Sequence, residues 1–399
     1  MTRPPTILCV SGYFKGARFI ETCKREGCTV YLLTIEKLLK EPWPRHALDE
    51  VWALPDFEDD ATLIKTVAYL ARNHEIDRIA PLDDYDVERV ARLREYLRLP
   101  GMGETTARYF RDKLAMRSRA EFRGLPIPRF VHILNHAKIE RFMREVPPPW
   151  MFKPRAEASS IGIKKLSSPD EVWKVVHELG DLQSRYLLEQ MIPGDVFHVD
   201  SIASEGEVVF AESSKYRRPL FDVTHSGGIF ATSLLPRDDS DAVELMQINK
   251  ELVRHLGFVR GVLHTEFIKG RDDEEFYFLE TAARVGGAHI AEMVEAATGV
   301  NLWEEWAKIE ISQGEFPYVP PTARSDYAGL IVSLARQERP DTSAYDDPEI
   351  VWRLDRKHHV GFIVTAPTPD RVQELIDSYM PRIERDFSAS LPAPEKPTS

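Results

Sequence analysis

The sequence predicts a mixed α/β and α+β fold, with a parallel-sheet domain first and α+β subdomains after it. Three observations predict it. Strand-like and helix-like segments alternate from Pro5 to about Gly103. After Trp150 the apolar runs come as short strands in antiparallel succession, interrupted by single helices. The stretch GVLHTEFIKGRDDEEFYFLETAARVGG (261–287) reads as two strands around a charged turn. The length, 399 residues, allows two to three domains with sizeable cores.

In the first hundred residues TILCVSG is an apolar run ending in a turn, and FKGARFIETCKREG has helical spacing and a glycine stop. CTVYLLT is a second strand, DDATLIKTVAYLARNH a helix, DRIAPL a third strand and DVERVARLREYLR another amphipathic helix. Strands alternating with helices indicate a parallel sheet. Its ligands belong beyond the carboxyl ends of its strands. Ser11, Gly12, Asp83, Asp84 and Asp86 therefore stand at the mouth of a cleft, although Asp84 and Asp86 also suit helix N-capping. GMGETT follows a helix and lacks a third glycine, and no G-x-x-x-x-G-K-[ST] occurs, so neither dinucleotide fingerprint nor P-loop is read.

Thr105 to Arg119 reads as one basic helix, broken by GLPIPRF. REVPPPW is a stiff connector. MFKPRAEASSIGIKKL gives strand, small-residue flap and strand. SPDEVWKVVHELG is a helix started by Ser-Pro and stopped by Gly. YLLEQMI, FHVDSIA and EVVFAESS are strands, and AVELMQINKELVRHLG is a long amphipathic helix. HIAEMVEAATG and NLWEEWAKIEISQG follow the hairpin as helices. AGLIVSLA, EIVWRL and VGFIVTA are strands of an α+β tail that ends in the helix DRVQELIDSYMPRIERDF. The last residues have the composition of a disordered tail.

A net charge of −12 without a basic tract argues against nucleic-acid or anionic-membrane partners. No stretch has the length to span a bilayer, and the N-terminal apolar run is too short for a signal peptide. Cys9, Cys23 and Cys28 lack C-x-x-C spacing, so zinc and disulfides are not expected and a reducing cytoplasm fits. His358 and His359 read as surface residues.

The chemistry is concentrated in four features. A hairpin symmetric about Asp273 sets Glu266 opposite Glu280, and like charges opposed on a sheet are unfavourable without a cation between them. Oxygen-only ligation suits Mg²⁺, with Mn²⁺ as an alternative ion. Arg284, four residues on, can hold an anion beside it. Lys113 and Lys153 come from different segments and can neutralise a polyphosphate, while the flap Ala158 to Gly162 can bring backbone N–H groups onto it.

With RDKLAMRSRAEFRGLPIPRF, FKPRAEASSIGIKKL, LLEQMIPGDVFHVDS and HTEFI…FLETAARVGG in order, the chain resembles the ATP-grasp enzymes, the group that includes biotin carboxylase, carbamoyl phosphate synthetase and the L-amino-acid ligases. The resemblance implies a pre-ATP-grasp domain (1–110), a small grasp subdomain with the flap (111–195), a catalytic subdomain (196–315), a C-terminal α+β subdomain (316–390) and a disordered tail (391–399). It implies ATP and Mg²⁺ as cofactors. Lys113, Lys153 and flap residues Ser159, Ser160 and Gly162 would contact phosphates. Glu189 and the Gln190 carbonyl would face the adenine amino group, and Met191 and the Ile192 N–H would complete the hinge. Glu266 and Glu280 would bind the metal, and Arg284 the reacting phosphoryl or carboxylate.

Two positions depart from the family pattern. Val196 stands where an acidic residue often holds the ribose, for which Asp195 would substitute, and Ala282 replaces the asparagine of E-x-N-x-R. Lys215 would add a phosphate contact, and His225 resembles the substrate histidine of amino-acid and dipeptide ligases. Asp83 and Asp84 would hold a substrate ammonium, and N–H groups at Gly286 and Gly287 an oxyanion. The implied activity is a carboxylate–amine ligase acting on small molecules through an acyl phosphate. The alternatives are a carboxylase or other acyl-phosphate ligase, or a nucleotide-binding module without catalysis. A homodimer through the first or last domain is one assembly the sequence allows.

Overall fold

The computed structural model describes residues 3–158, 161–219, 221, 223 and 228–389. Its N-terminal part is a four-stranded parallel sheet. β1 (Thr6–Ser11) pairs with β2 (Thr29–Ile35) on one side and β4 (Arg78–Pro81) on the other, and β3 (Glu50–Leu54) lies outside β2. Every residue of β1 is buried, as in a sheet covered on both faces. α1 (Ala17–Arg25), α2 (Asp60–Leu70) and α3 (Val87–Leu97) occupy the three expected helical stretches. Asp59 starts α2 by accepting from the N–H groups of Ala61 and Thr62. β3 was not expected. It is a five-residue edge strand with no fully buried residue, so it carries little period-two signal.

The basic helix expected over Thr105 to Arg119 is two helices. α4 (Glu104–Ala107) passes into a 3₁₀ turn, and α5 (Lys113–Phe122) starts afresh because Asp112 accepts from the N–H groups of Leu114 and Ala115. The break puts Lys113 on the first turn of α5 and sets Arg117 one turn behind it on the same face.

The middle sheet is antiparallel, in the order β5 (Phe130–His132), β8 (Tyr186–Gln190), β6 (Trp150–Pro154), β7 (Lys164–Leu166). α6 (His136–Glu145) and α7 (Pro169–Leu179) close its core around Ile139, Trp150, Phe152, Val176 and Leu188.

The third sheet has eight strands: β9 (Gly194–Ser204), β10 (Glu207–Tyr216), β11 (Phe230–Leu234), β12 (Gly261–Gly270), β13 (Phe276–Ala282), β14 (Tyr327–Leu334), β15 (Ile350–Arg353) and β16 (His359–Ala366). Their order is β13-β12-β9-β10-β11-β14-β16-β15. The C-terminal strands thus continue the sheet that carries the acidic hairpin, joined through β11 and β14. α8 (Ser240–Leu256), α9 (Ile290–Thr298), α10 (Leu302–Ser312) and α11 (Pro369–Asp386) pack around it. α10 also docks against α1, where Phe19 meets Trp306, so the parallel sheet and the large sheet share one core. All three cysteines are free and buried. Among the described residues, no helix is long and apolar enough to cross a membrane.

Candidate active site

Glu266 and Glu280 are cross-strand partners in β12 and β13. The hairpin is not symmetric throughout. Beyond the pair the register shifts, with Phe267 opposite Phe278, so Leu279 is an extra residue in a bulge. The Leu279 carbonyl accepts a hydrogen bond from Arg117 instead of a ladder partner. The two carboxylates keep separate supports. Tyr216 Oη donates to Glu266 Oε1 at 3.0 Å, and Lys113 Nζ lies 2.8 Å from Glu280 Oε2. Burial pushes the Glu280 carboxyl up, but Lys113, with Lys153 and Arg117 behind it, outweighs burial and holds it at about 2. Glu280 is therefore ionised at neutral pH. Opposed carboxylate oxygens of this kind fit a hard divalent cation such as Mg²⁺.

The same depressed carboxyl gives a pH prediction. Its folded value of about 2 lies below the ordinary 4.5. The stability it contributes is present above about pH 4.5 and lost as pH falls toward 2. The stability gap between wild type and Glu280→Gln should shrink over that window, as measured by denaturant unfolding at several pH values.

Between the middle sheet and the hairpin runs a cleft of about 410 Å³. Met151, Lys153 and Lys165 line one wall, Ile268 and Leu279 the other, and Gln190 to Ile192 the hinge, with Lys113, Glu266 and Glu280 at one end. This volume suits a nucleotide-sized ligand. Glu189, set toward adenine by the resemblance, is already paired within the protein. Its buried carboxylate is taken by Lys153 Nζ at 2.6 Å and Arg117 at 2.8 Å. Burial raises its pKa, and Arg117 and Lys153 together bring it below the usual range. Glu189 thus aims Lys153 into the cleft.

Asp195 and Lys215 pair with each other at 2.7 Å on the rim. Lys215 stands over the Phe197 ring and lines a pocket adjoining the cleft.

The stem of the flap is tied down. Lys113 Nζ donates to the Glu157 carbonyl at 2.6 Å, Arg111 donates to the Ala156 carbonyl, and Tyr85 Oη donates to the Glu157 carboxylate at 2.9 Å. Gly162 sits at φ +71°, a left-handed conformation that favours glycine. Ser159, Ser160 and His225 lie outside the described residues.

At the carboxyl end of β4 the acidic cluster is already engaged. Asp83 pairs with Lys15, Asp84 with Arg111, and Asp86 accepts from the Gly12 N–H at 2.8 Å and from Arg89 at 3.2 Å. Burial and then Asp83 push the Asp86 carboxyl up to about 7. Asp83 and one oxygen of Asp84 therefore hold protein cations here. A cavity of only about 30 Å³, room for one water, separates Asp84 and Arg111 from Glu280 and Arg284. Asp84 Oδ1 and Arg284 Nε are buried there without a hydrogen-bond partner among the described residues. Arg284 otherwise donates to the Val285 carbonyl at 2.9 Å. Gly286 packs so closely that a Cβ would come within 2.7 Å of Asp200 Oδ1, whereas Gly287 faces open space.

Residues 20–101 match the family model of the ATP-grasp N-terminal domain. An L-amino acid ligase structure from Bacillus licheniformis superposes with a TM-score of 0.76 at 17% identity, covering 97% of this chain and 98% of that one. The chain has the ATP-grasp fold. The same ATP-grasp architecture is seen in carboxyaminoimidazole ribonucleotide synthase from Aspergillus clavatus complexed with ATP, at a TM-score of 0.73 and 15% identity over 97% and 100% of the two chains. In sequence the chain is similar to the L-arginine-specific L-amino acid ligase of Bacillus subtilis, 23% identical over 300 residues, 74% of this chain and 72% of the relative. It is also similar to the alanine–anticapsin ligase of Bacillus subtilis, 23% identical over 274 residues, 63% and 57% of the two.

Arg111, Arg117, Tyr216 and His264 were not singled out in the sequence. Arg117 had a readable signal, its i,i+4 spacing from Lys113. The others depend on partners far along the chain.

Proposed function

We propose that the protein is an ATP- and Mg²⁺-dependent carboxylate–amine ligase that joins an amino-acid carboxylate to an amine, giving a dipeptide or amide with ADP and phosphate. One observation carries the reading: the opposed Glu266 and Glu280 side chains and two lysines, Lys113 and Lys153, line one nucleotide-sized cleft. Its similarity to amino-acid ligases supports the choice among ATP-grasp reactions.

Glu266 and Glu280 would hold the cation, which when bound supplies positive charge to the phosphates. Lys113 and Lys153 add charge on the nucleotide side. Glu189 keeps Lys153 extended, and the bulge carbonyl at Leu279 does the same for Arg117. The substrate carboxylate oxygen attacks the γ-phosphorus, the bond to ADP breaks, and Arg284 stabilises the charge that develops. The amine then attacks the acyl carbon, and phosphate leaves with the electron pair. N–H groups near Gly287 would hold the tetrahedral oxyanion. His225 would be the base that takes the amine proton. The cavity of about 30 Å³ beside Arg284 must widen for an acyl substrate, so parting of the β4 loop from the hairpin belongs to this reading. The protein would act on small molecules in the cytoplasm.

The test is a phosphate-release screen against amino acids, singly and in pairs, with mass detection of products. Release stimulated by amino acids supports the ligase. Release stimulated by bicarbonate alone would favour a carboxylase, and nucleotide binding without any stimulated release would favour a non-catalytic module.

A further inference from the structure

The reaction as derived uses Glu266 but leaves unexplained the polar chain buried behind it. Asp200 is fully buried on β9, between β10 and β12. Its two oxygens each take a histidine: Oδ2 meets His198 Nδ1 at 2.6 Å and Oδ1 meets His264 Nδ1 at 2.9 Å. At the far end His198 Nε2 contacts Thr232 Oγ1 at 2.8 Å, and that hydroxyl donates to the Lys215 carbonyl at 3.1 Å. At the near end His264 Nε2 lies 3.5 Å from Glu266 Oε1 and 3.5 Å from Tyr216 Oη. Tyr216 donates to that same Glu266 oxygen at 3.0 Å.

A carboxylate at Nδ1 fixes both the rotation of an imidazole and the direction of its second nitrogen. Asp200 therefore aims His264 at Glu266. Tyr216 occupies one oxygen of Glu266, which leaves the other for a ligand on the cleft side. Asp200 also supports the loop after β13, because its Oδ1 fills the space where a Cβ on Gly286 would stand, two residues from Arg284. One buried carboxylate thus backs both the Glu266 side chain and the backbone that carries Arg284. The donor atoms of His198, Asp200 and His264 lie within 4.8 Å of one another, a spacing that could hold a metal. Each of those atoms already bonds another member of the cluster, so the hydrogen-bonded chain accounts for all of them without an ion.

We propose that His264 and Tyr216, held by Asp200, are positioning residues that fix Glu266 in the orientation needed to bind the divalent cation. This rests on the reading of Glu266 and Glu280 as the cation site. Partners of this kind tune metal affinity by about 10- to 100-fold when removed.

The test is Mn²⁺ binding to the full chain with saturating ADP, followed by electron paramagnetic resonance, alongside thermal unfolding. His264→Gln and Tyr216→Phe are expected to weaken Mn²⁺ binding by roughly 10-fold or more, with metal-free ADP affinity unchanged. Ser201→Ala is the control. It removes the acceptor for Asn249 beside Asp200 on the same strand, and should lower the unfolding temperature while leaving Mn²⁺ affinity within about twofold, since the Ser201 hydroxyl bonds Asn249 and not His198, Asp200, His264 or Tyr216. If His264→Gln fails to fold, Tyr216→Phe, which deletes one hydroxyl, decides. Unchanged Mn²⁺ affinity in the positioning variants overturns the inference while the cation site stands. If wild type binds no Mn²⁺, or binds it as well after Glu266→Gln, the cation site itself is wrong and the inference falls with it.

Discussion

Glu280→Gln is expected to lower turnover at saturating ATP by about 10³-fold, or roughly 4 kcal/mol of transition-state stabilisation. The amide keeps the shape and can still accept from Lys113, which lies 2.8 Å away, so the loss should come from charge and not from folding. Glu280 is also the better placed of the pair to report on the site. Lys113, Lys153 and Arg117 all act on it, and its side chain is more open to the cleft than that of Glu266, 35% against 13%. Steady-state ADP formation with the substrates found by screening gives the measurement. Activity within threefold of wild type would remove Glu280 from the chemistry.

Glu189→Gln should act on stability first. Its carboxylate lies between Arg117, fully buried, and Lys153, nearly so. Removing one partner of a buried ion pair costs about 3–5 kcal/mol, because the remaining charge stays in a poorly solvated place. Here two cations lose the same partner. Arg117 keeps its bond to the Leu279 carbonyl, but its Nε and Nη2, both 2.8 Å from Glu189 Oε2, lose the charge of that carboxylate. Denaturant unfolding should show the loss, and replacing Arg117 by Met in the same chain should return part of it, since this removes one of the two stranded charges. A loss below about 1 kcal/mol would mean that water reaches the pair and that Glu189 does not hold Lys153 in place.

The hairpin pair was legible because a strand–turn–strand pattern fixes register over a few residues, and Glu266 and Glu280 do face each other. The bulge at Leu279 was not, because the carbonyl there meets Arg117, which arrives from α5. Lys113 and Lys153 could be picked out at element ends, but their partners could not. Glu157, Glu189 and Glu280 come from three separate segments, and only the folded chain sorts which lysine meets which. The break before α5 had a local sign, an aspartate directly ahead of Lys113 in capping position, which the surrounding basic helical pattern obscured.

The partners of the acidic cluster were hidden for a related reason. Asp83 and Asp84 stand at the predicted strand end, but Lys15 and Arg111 reach them from elsewhere. His264 gives no local signal at all. Its meaning depends on Asp200, 64 residues away. The C-terminal strands were readable one by one, whereas their continuity with the hairpin sheet rests on the pairing of β11 with β14.

The central claim is that Glu266 and Glu280 together hold a nucleotide-bound divalent cation. A crystal grown with ADP and Mn²⁺, mapped by the anomalous signal of manganese, tests it most directly. The account predicts one strong peak within about 2.0–2.3 Å of an oxygen from each glutamate, as expected for hard-ion coordination, with Lys153 turned to the phosphates. A peak bonded to neither carboxylate, with nucleotide present in the cleft, would contradict it.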